Sequence, residues 1–165
     1  MLLRDFDKLA SRVDDLFSRT EALLARVEAL LPPAAEDPDW AGVKAARWRK
    51  RGGRGWLQPV PHVNAVSLDA LVGIDAQKAA IDGNTRQFVS GLPANNVLLT
   101  GSRGTGKSSL VKAMLARHAA RGLRLIEVDK ADLVDLPDIV ERVQSRKQRF
   151  IIFCDDLTFD AGEPG

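Results

Sequence analysis

The sequence has 165 residues, of which 45% are hydrophobic and 28% charged, and this leaves room for one globular domain plus an appendage. A formal net charge of +2 is too small to imply a nucleic-acid partner by itself. The single cysteine, Cys154, excludes an internal disulfide and fits a reducing compartment.

Arg4, Asp5, Asp7 and Lys8 break any apolar run at the N-terminus. Neither a secretory signal nor a membrane span is expected, which leaves the cytoplasm as the expected location. Residues 1–31 read instead as one amphipathic helix. Leu2, Phe6, Leu9, Val13, Leu16, Thr20, Leu23, Val27 and Leu30 recur in steps of four and three, a heptad seam. Leu3, Ala10, Phe17, Leu24 and Leu31 widen that seam. Such a helix serves either self-association and partner docking or packing on its own domain. Pro32 and Pro33 end it.

Residues 32–66 read as a linker and a basic segment. From Trp40 to Val66 there are six basic residues, Lys44, Arg47, Arg49, Lys50, Arg51 and Arg54, and no acidic one. Trp40, Trp48 and Trp56 are interleaved with them around Gly52, Gly53 and Gly55. Basic residues with stacking aromatics suit single-stranded nucleic acid, and the cations would equally serve an acidic protein. The alternative is a solvated basic loop whose tryptophans pack on neighbouring surfaces.

Residues 67–165 read as an α/β core. A helix is expected from near Asp75 to about Gly91. Asn96–Thr100 is a short apolar run that predicts a buried strand. Gly101 to Ser108 then match the phosphate-binding pattern G-x-x-x-x-G-K-[ST] at every fixed position. Glycines let a loop curl so that successive N–H groups face an anion, and the following helix presents its positive end to the same anion. Gly101, Ser102, Arg103, Gly104, Thr105, Gly106, Lys107, Ser108 and Ser109 are therefore the expected nucleotide contacts. Lys107 would reach the β- and γ-phosphates, and Ser108 would ligate Mg²⁺.

The helix from Ser108 to Arg121 stops at Gly122. Leu123–Val128 reads as a strand, and Lys130–Arg146 as a turn and helix with Pro137 near its start. Phe150–Phe153 is an apolar strand that delivers Asp155 and Asp156 at its carboxyl end, where open α/β sheets place their ligand-binding groups. Asp155 is the expected Mg²⁺ partner and Asp156 the group that polarises an attacking water. Cys154 is expected as a small core residue. His62 and His118 have no second ligand at metal-binding spacing.

In Leu71–Asp75, Gly101–Ser109 and Phe150–Asp156 the chain resembles the AAA+ ATPases. It is also similar, across residues 40–165, to a bacterial AAA+ family catalogued as an ATP-binding domain of unknown function. That likeness lies in Arg47–Gly55, Leu92–Ser109, Glu127–Lys130 and Phe153–Leu157. The resemblance implies a P-loop NTPase with a three-layer αβα core and a parallel sheet. It implies ATP and Mg²⁺ as ligands and Val72, Gly73 and Ile74 against the adenine. It implies an ATPase that remodels a partner, or else a helicase-loader-like adaptor on nucleic acid or a nucleotide-switched scaffold that does not hydrolyse.

The resembled proteins mostly carry Asp-Glu where this chain has Asp155-Asp156. The shorter side chain implies slow hydrolysis. The resemblance also implies two further strands, a polar sensor, an arginine finger and a helical lid, so the 165 residues read as a truncated core with an incomplete sheet. The strand that would separate the phosphate-loop strand from the Asp155 strand is missing from it. A slot with unpaired backbone, and marginal stability, are therefore expected.

Overall fold

The structure, a computed structural model, describes residues 2–30, 36–64 and 66–157. It falls into two compact units, Met1–Ala35 and Glu36–Gly165. The described residues of the first form one helix, α1 (Leu2–Leu30), as the heptad pattern predicts. Val13, Leu16, Leu23 and Val27 of the seam, and Phe17 and Leu24 of the flanking stripe, are exposed. Thr20 satisfies its hydroxyl by donating to the Leu16 carbonyl (2.8 Å). Leu31 and the Pro32–Pro33 stop lie outside the described residues.

The second unit is α/β. Its described sheet has four strands in the order β2-β1-β3-β4: β1 (Ala45–Arg51), β2 (Arg54–Pro59), β3 (Leu123–Glu127) and β4 (Arg149–Phe153). β1, β3 and β4 run parallel and β2 is antiparallel to β1. The sheet is thus mixed, where a parallel one was expected.

Period-two alternation sends consecutive residues to opposite faces. Ala46, Trp48, Leu57 and Ile126 meet Ile139 and Val143 of α4 (Leu136–Val143) on one face. Ala45, Leu123 and Leu125 meet Leu115 of α3 (Lys107–His118) on the other, with Phe88 and Val89 of α2 (Asp75–Val89) packed alongside. The layers are therefore helix, sheet, helix. Pro137 sits in the first turn of α4, where its missing N–H is harmless. α3 continues as a 3-10 turn to Arg121 and ends on Gly122 in the left-handed region (φ 92°).

Two segments also depart from the sequence expectation. Residues 45–59, read as linker and basic loop, form a β-hairpin that supplies half of the strands. Its two-residue Gly52-Gly53 turn has φ of 57° and 77°. Positive φ at both turn positions matches the twist of the flanking strands, and glycine adopts it without strain. Trp40 (3% exposed) and Trp48 (1%) lie in the core, not on a stacking surface. Trp40 packs edge-on against Phe150, ring centroids 4.8 Å apart. Asn96–Thr100, expected as a strand, is irregular, with Leu98 68% exposed. An apolar run becomes a strand only where a neighbour takes its backbone groups, and none of the described residues does. Ile126 and Ile152 do pair on parallel strands, but Leu98 does not join them. The outer edge of β4 carries no strand among the described residues.

Buried polar groups tie the layers together. Arg124 lies in the core and donates to the carbonyls of Trp40 (2.9 Å), Ala119 (3.0 Å) and Leu123 (2.8 Å). Burial lowers its pKa. Asp135 accepts from the Trp48 indole (3.0 Å) and from Lys50 (2.7 Å). The Lys50 and Trp48 hydrogen bonds hold its pKa below the usual carboxylate range. The stabilisation from this pair is complete above about pH 3.9, the ordinary unfolded value, and is lost as pH falls through the depressed folded value. Asp135→Asn is accordingly expected to flatten the acid limb of stability against pH, read as urea midpoints. A variant whose midpoint falls as steeply as the wild type in acid would contradict this.

Candidate functional site

The loop between Thr100 and α3 is built by three glycines with positive φ: Gly101 (139°), Gly104 (84°) and Gly106 (85°). Gly106 caps α3 in the left-handed region, so the chain turns straight from loop into helix. The loop is closed internally. Thr105 Oγ1 donates to the Ser102 carbonyl (2.9 Å). Lys107 Nζ folds back over the loop and donates to the carbonyls of Gly101 (2.8 Å) and Ser102 (2.9 Å). The N–H groups of Arg103, Gly104 and Gly106 have no backbone partner among the described residues. Residues 101–105 are exposed, and Lys107, Ser108 and Ser109 are half-buried.

Opposite the loop, the end of β4 brings in the carboxylates. Ser108 Oγ donates to Asp155 Oδ2 at 2.6 Å, joining residues far apart in sequence. The expected magnesium ligands therefore meet. Asp156 is exposed, adopts φ 51°, and donates its N–H to Asp155 Oδ1 (3.1 Å). Cys154 lies just past the strand end and is half-buried rather than a core residue. Burial, then the charges of Asp129 and Asp155, raise its thiol pKa, which disfavours the nucleophilic thiolate.

Val72 (88% exposed) and Gly73 are exposed and Ile74 is half-buried. Their neighbour Leu71 stands against the loop, its Cδ2 3.8 Å from where a Cβ on Gly106 would lie. Lys78 of α2 fixes this turn by donating to the carbonyls of Leu68 (3.3 Å) and Leu71 (2.6 Å).

Two supporting contacts gave no sequence signal. The Asn84 amide clasps Asn95, donating to its carbonyl (2.8 Å) and accepting its N–H (2.9 Å), and so anchors the strandless run that leads into the loop. Asp82 of α2 accepts from Arg117 (3.1 Å) and lies 2.8 Å from His118 Nε2, both on α3. His118 is thus a buried helix-to-helix tether. His62 is an exposed loop residue.

The arrangement offers unpaired amides, one lysine ammonium and a hydroxyl–carboxylate pair around an open loop. These groups fit a phosphate chain carrying Mg²⁺. The described residues hold no cluster of three or more acidic, His or Cys side chains for a metal.

A family model described as "Protein of unknown function (DUF815)" matches residues 41–165. No curated protein and no solved structure matches the chain. No helix among the described residues is long and apolar enough to cross a membrane.

Proposed function

The chain belongs to the family of proteins of unknown function DUF815, and we propose that within it this unit is a Mg-ATP-binding module of the AAA+ P-loop kind that hydrolyses ATP. The observation carrying the proposal is the 2.6 Å contact between Ser108 and Asp155, formed beside a glycine loop over which Lys107 is folded. A glycine turn with an incidental lysine would not need a carboxylate delivered to the helix-start hydroxyl from another strand.

In this reading Lys107 exchanges its two carbonyl partners for the β- and γ-phosphates. The amides of Arg103, Gly104 and Gly106 receive phosphate oxygens. Ser108 and Asp155 would hold Mg²⁺, which would supply positive charge to offset that of the phosphates. Asp156, exposed at the strand end, takes the proton of the attacking water. Leu71 and the Val72–Ile74 turn, held by Lys78, form the wall that the base meets.

Lys107→Ala removes a charged phosphate contact of the kind that contributes about 1.5–3 kcal/mol. Calorimetric titration with Mg-ATP should therefore show affinity reduced roughly 10- to 150-fold, with the far-UV spectrum unchanged. Equal affinity in the two proteins would remove Lys107, and with it this reading of the loop.

A further inference from the structure

The hairpin sorts its cations by face. The β1–β2 register pairs Arg47 with Gln58, Arg49 with Trp56 and Arg51 with Arg54. Cross-strand partners share a face, and so do alternate residues along a strand. Arg47, Arg49, Arg51, Arg54, Trp56 and Gln58 therefore stand together on one side of the ribbon. The opposite side carries Trp48 and Leu57, which are buried, and Lys50, which turns to Asp135. The sorted face holds four arginines and no lysine.

Charge on this face is compensated unevenly. Arg47 pairs with Glu127 at 2.6 Å and Arg49 reaches Asp129 at 4.0 Å. Arg51 and Arg54, exposed at the tip, have no ion-pair partner among the described residues. Trp56 is half-buried, directly across from Arg49 and two residues along β2 from Arg54. β1 pairs with β3 only as far as Arg47, so the last four residues project about 13 Å beyond it at the strand rise of about 3.3 Å. β1 and β4 are parallel to β3. The tip therefore projects at the end of the sheet that also carries Asp155.

We infer that this ribbon face binds single-stranded nucleic acid, with Arg51, Arg54 and Arg49 on successive phosphates and Trp56 stacked on a base. The tryptophan decides between partners. An acidic peptide would use the cations and leave the indole without a role, whereas flat rings set among cations are the usual platform for unpaired bases. The exclusive use of arginine fits too, since its planar fork takes phosphate oxygens in pairs and stacks on rings. A duplex, with its bases already stacked, offers Trp56 nothing. The inference is independent of the nucleotide site.

The test is fluorescence anisotropy on the full chain at low salt. The probe is a labelled oligothymidylate of about 20 nucleotides, longer than the usual site of about 4–16. Saturable binding is expected, with a duplex of equal length and polyglutamate both at least tenfold weaker competitors. Arg51→Ser combined with Arg54→Ser should weaken binding about tenfold or more and reduce the salt slope by about 0.7 for each lost contact. Trp56→Leu should weaken it about tenfold without altering the salt slope, provided that its thermal transition matches the wild type. Trp56→Phe, which keeps a ring, should recover most of the loss and serves as the second variant if Leu is not tolerated. Lys107→Ala should bind as the wild type does. Absence of binding at low salt, equal competition by polyglutamate or duplex, or loss of affinity equal in the Phe and Leu variants would each overturn the assignment.

Discussion

Replacing Asp156 with Asn is expected to slow ATP hydrolysis by about 10²-fold or more, the scale of a lost general base, while Mg-ATP affinity stays within about twofold. The backbone makes this substitution unusually clean. Asp156 is the one non-glycine residue with positive φ (51°) among the described residues. Asn and Asp are the side chains that tolerate the left-handed region best. Asn therefore keeps the turn and the N–H donated to Asp155 Oδ1, and removes only basicity. Ala would add backbone strain and confuse the two effects. Phosphate release at saturating Mg-ATP measures the outcome. Wild-type turnover in Asp156→Asn would show that the water is oriented by some other group.

Gly55→Ala is expected to destabilise the second unit by about 3 kcal/mol or more, at or beyond the upper end of overpacking effects. A Cβ on Gly55 would lie 1.9 Å from Trp48 Cζ2 and 2.4 Å from Cη2. The indole cannot step aside. It is buried, its Nε1 is held by Asp135, and the Arg142 guanidinium lies over its ring at 5.6 Å. Arg142 also donates to the Gly55 carbonyl (2.9 Å), so the backbone is held as well. With total stabilities of about 5–15 kcal/mol, the variant should lose much of its margin in urea unfolding. Trp48→Leu opens space beside Gly55, so the double variant should be no less stable than the worse single one. Simple additivity of the two losses, or a near-neutral Gly55→Ala, would mean that the indole relaxes freely.

The difference between legible and illegible elements is physical. α1, α2, α3, α4, β3 and β4 carry their own signals: apolar spacing, glycine stops and a proline in a first turn. The contact between Ser108 and Asp155 was legible because Ser108 lies at the start of a recognisable helix and Asp155 just past a recognisable strand. β1 and β2 were hidden by their composition. Arg47, Arg49 and Arg51 alternate with Ala46, Trp48 and Lys50, a period of two around a Gly-Gly pair, but the charge of the run masked the alternation. For the same reason Trp40 and Trp48 could be read either as stacking aromatics or as side chains packed on neighbouring surfaces, and their place in the core was not legible. Asn96–Thr100 failed in the opposite sense. Its residues suit a strand, yet strand formation belongs to the pair, and no described neighbour completes it. The Asn84–Asn95 clasp that holds this run instead has no periodicity to read.

The unpaired amides of Arg103, Gly104 and Gly106 have a consequence in time. Hydrogens bound into β3 can trade with solvent only when the sheet opens, and that opening is rare. Those of the loop need no such event, because no protein carbonyl has to release them. The second unit thus carries two clocks, a slow one set by unfolding in the sheet and a fast one at the loop. An anion seated on the loop would slow the fast clock and leave the slow one to report on stability alone.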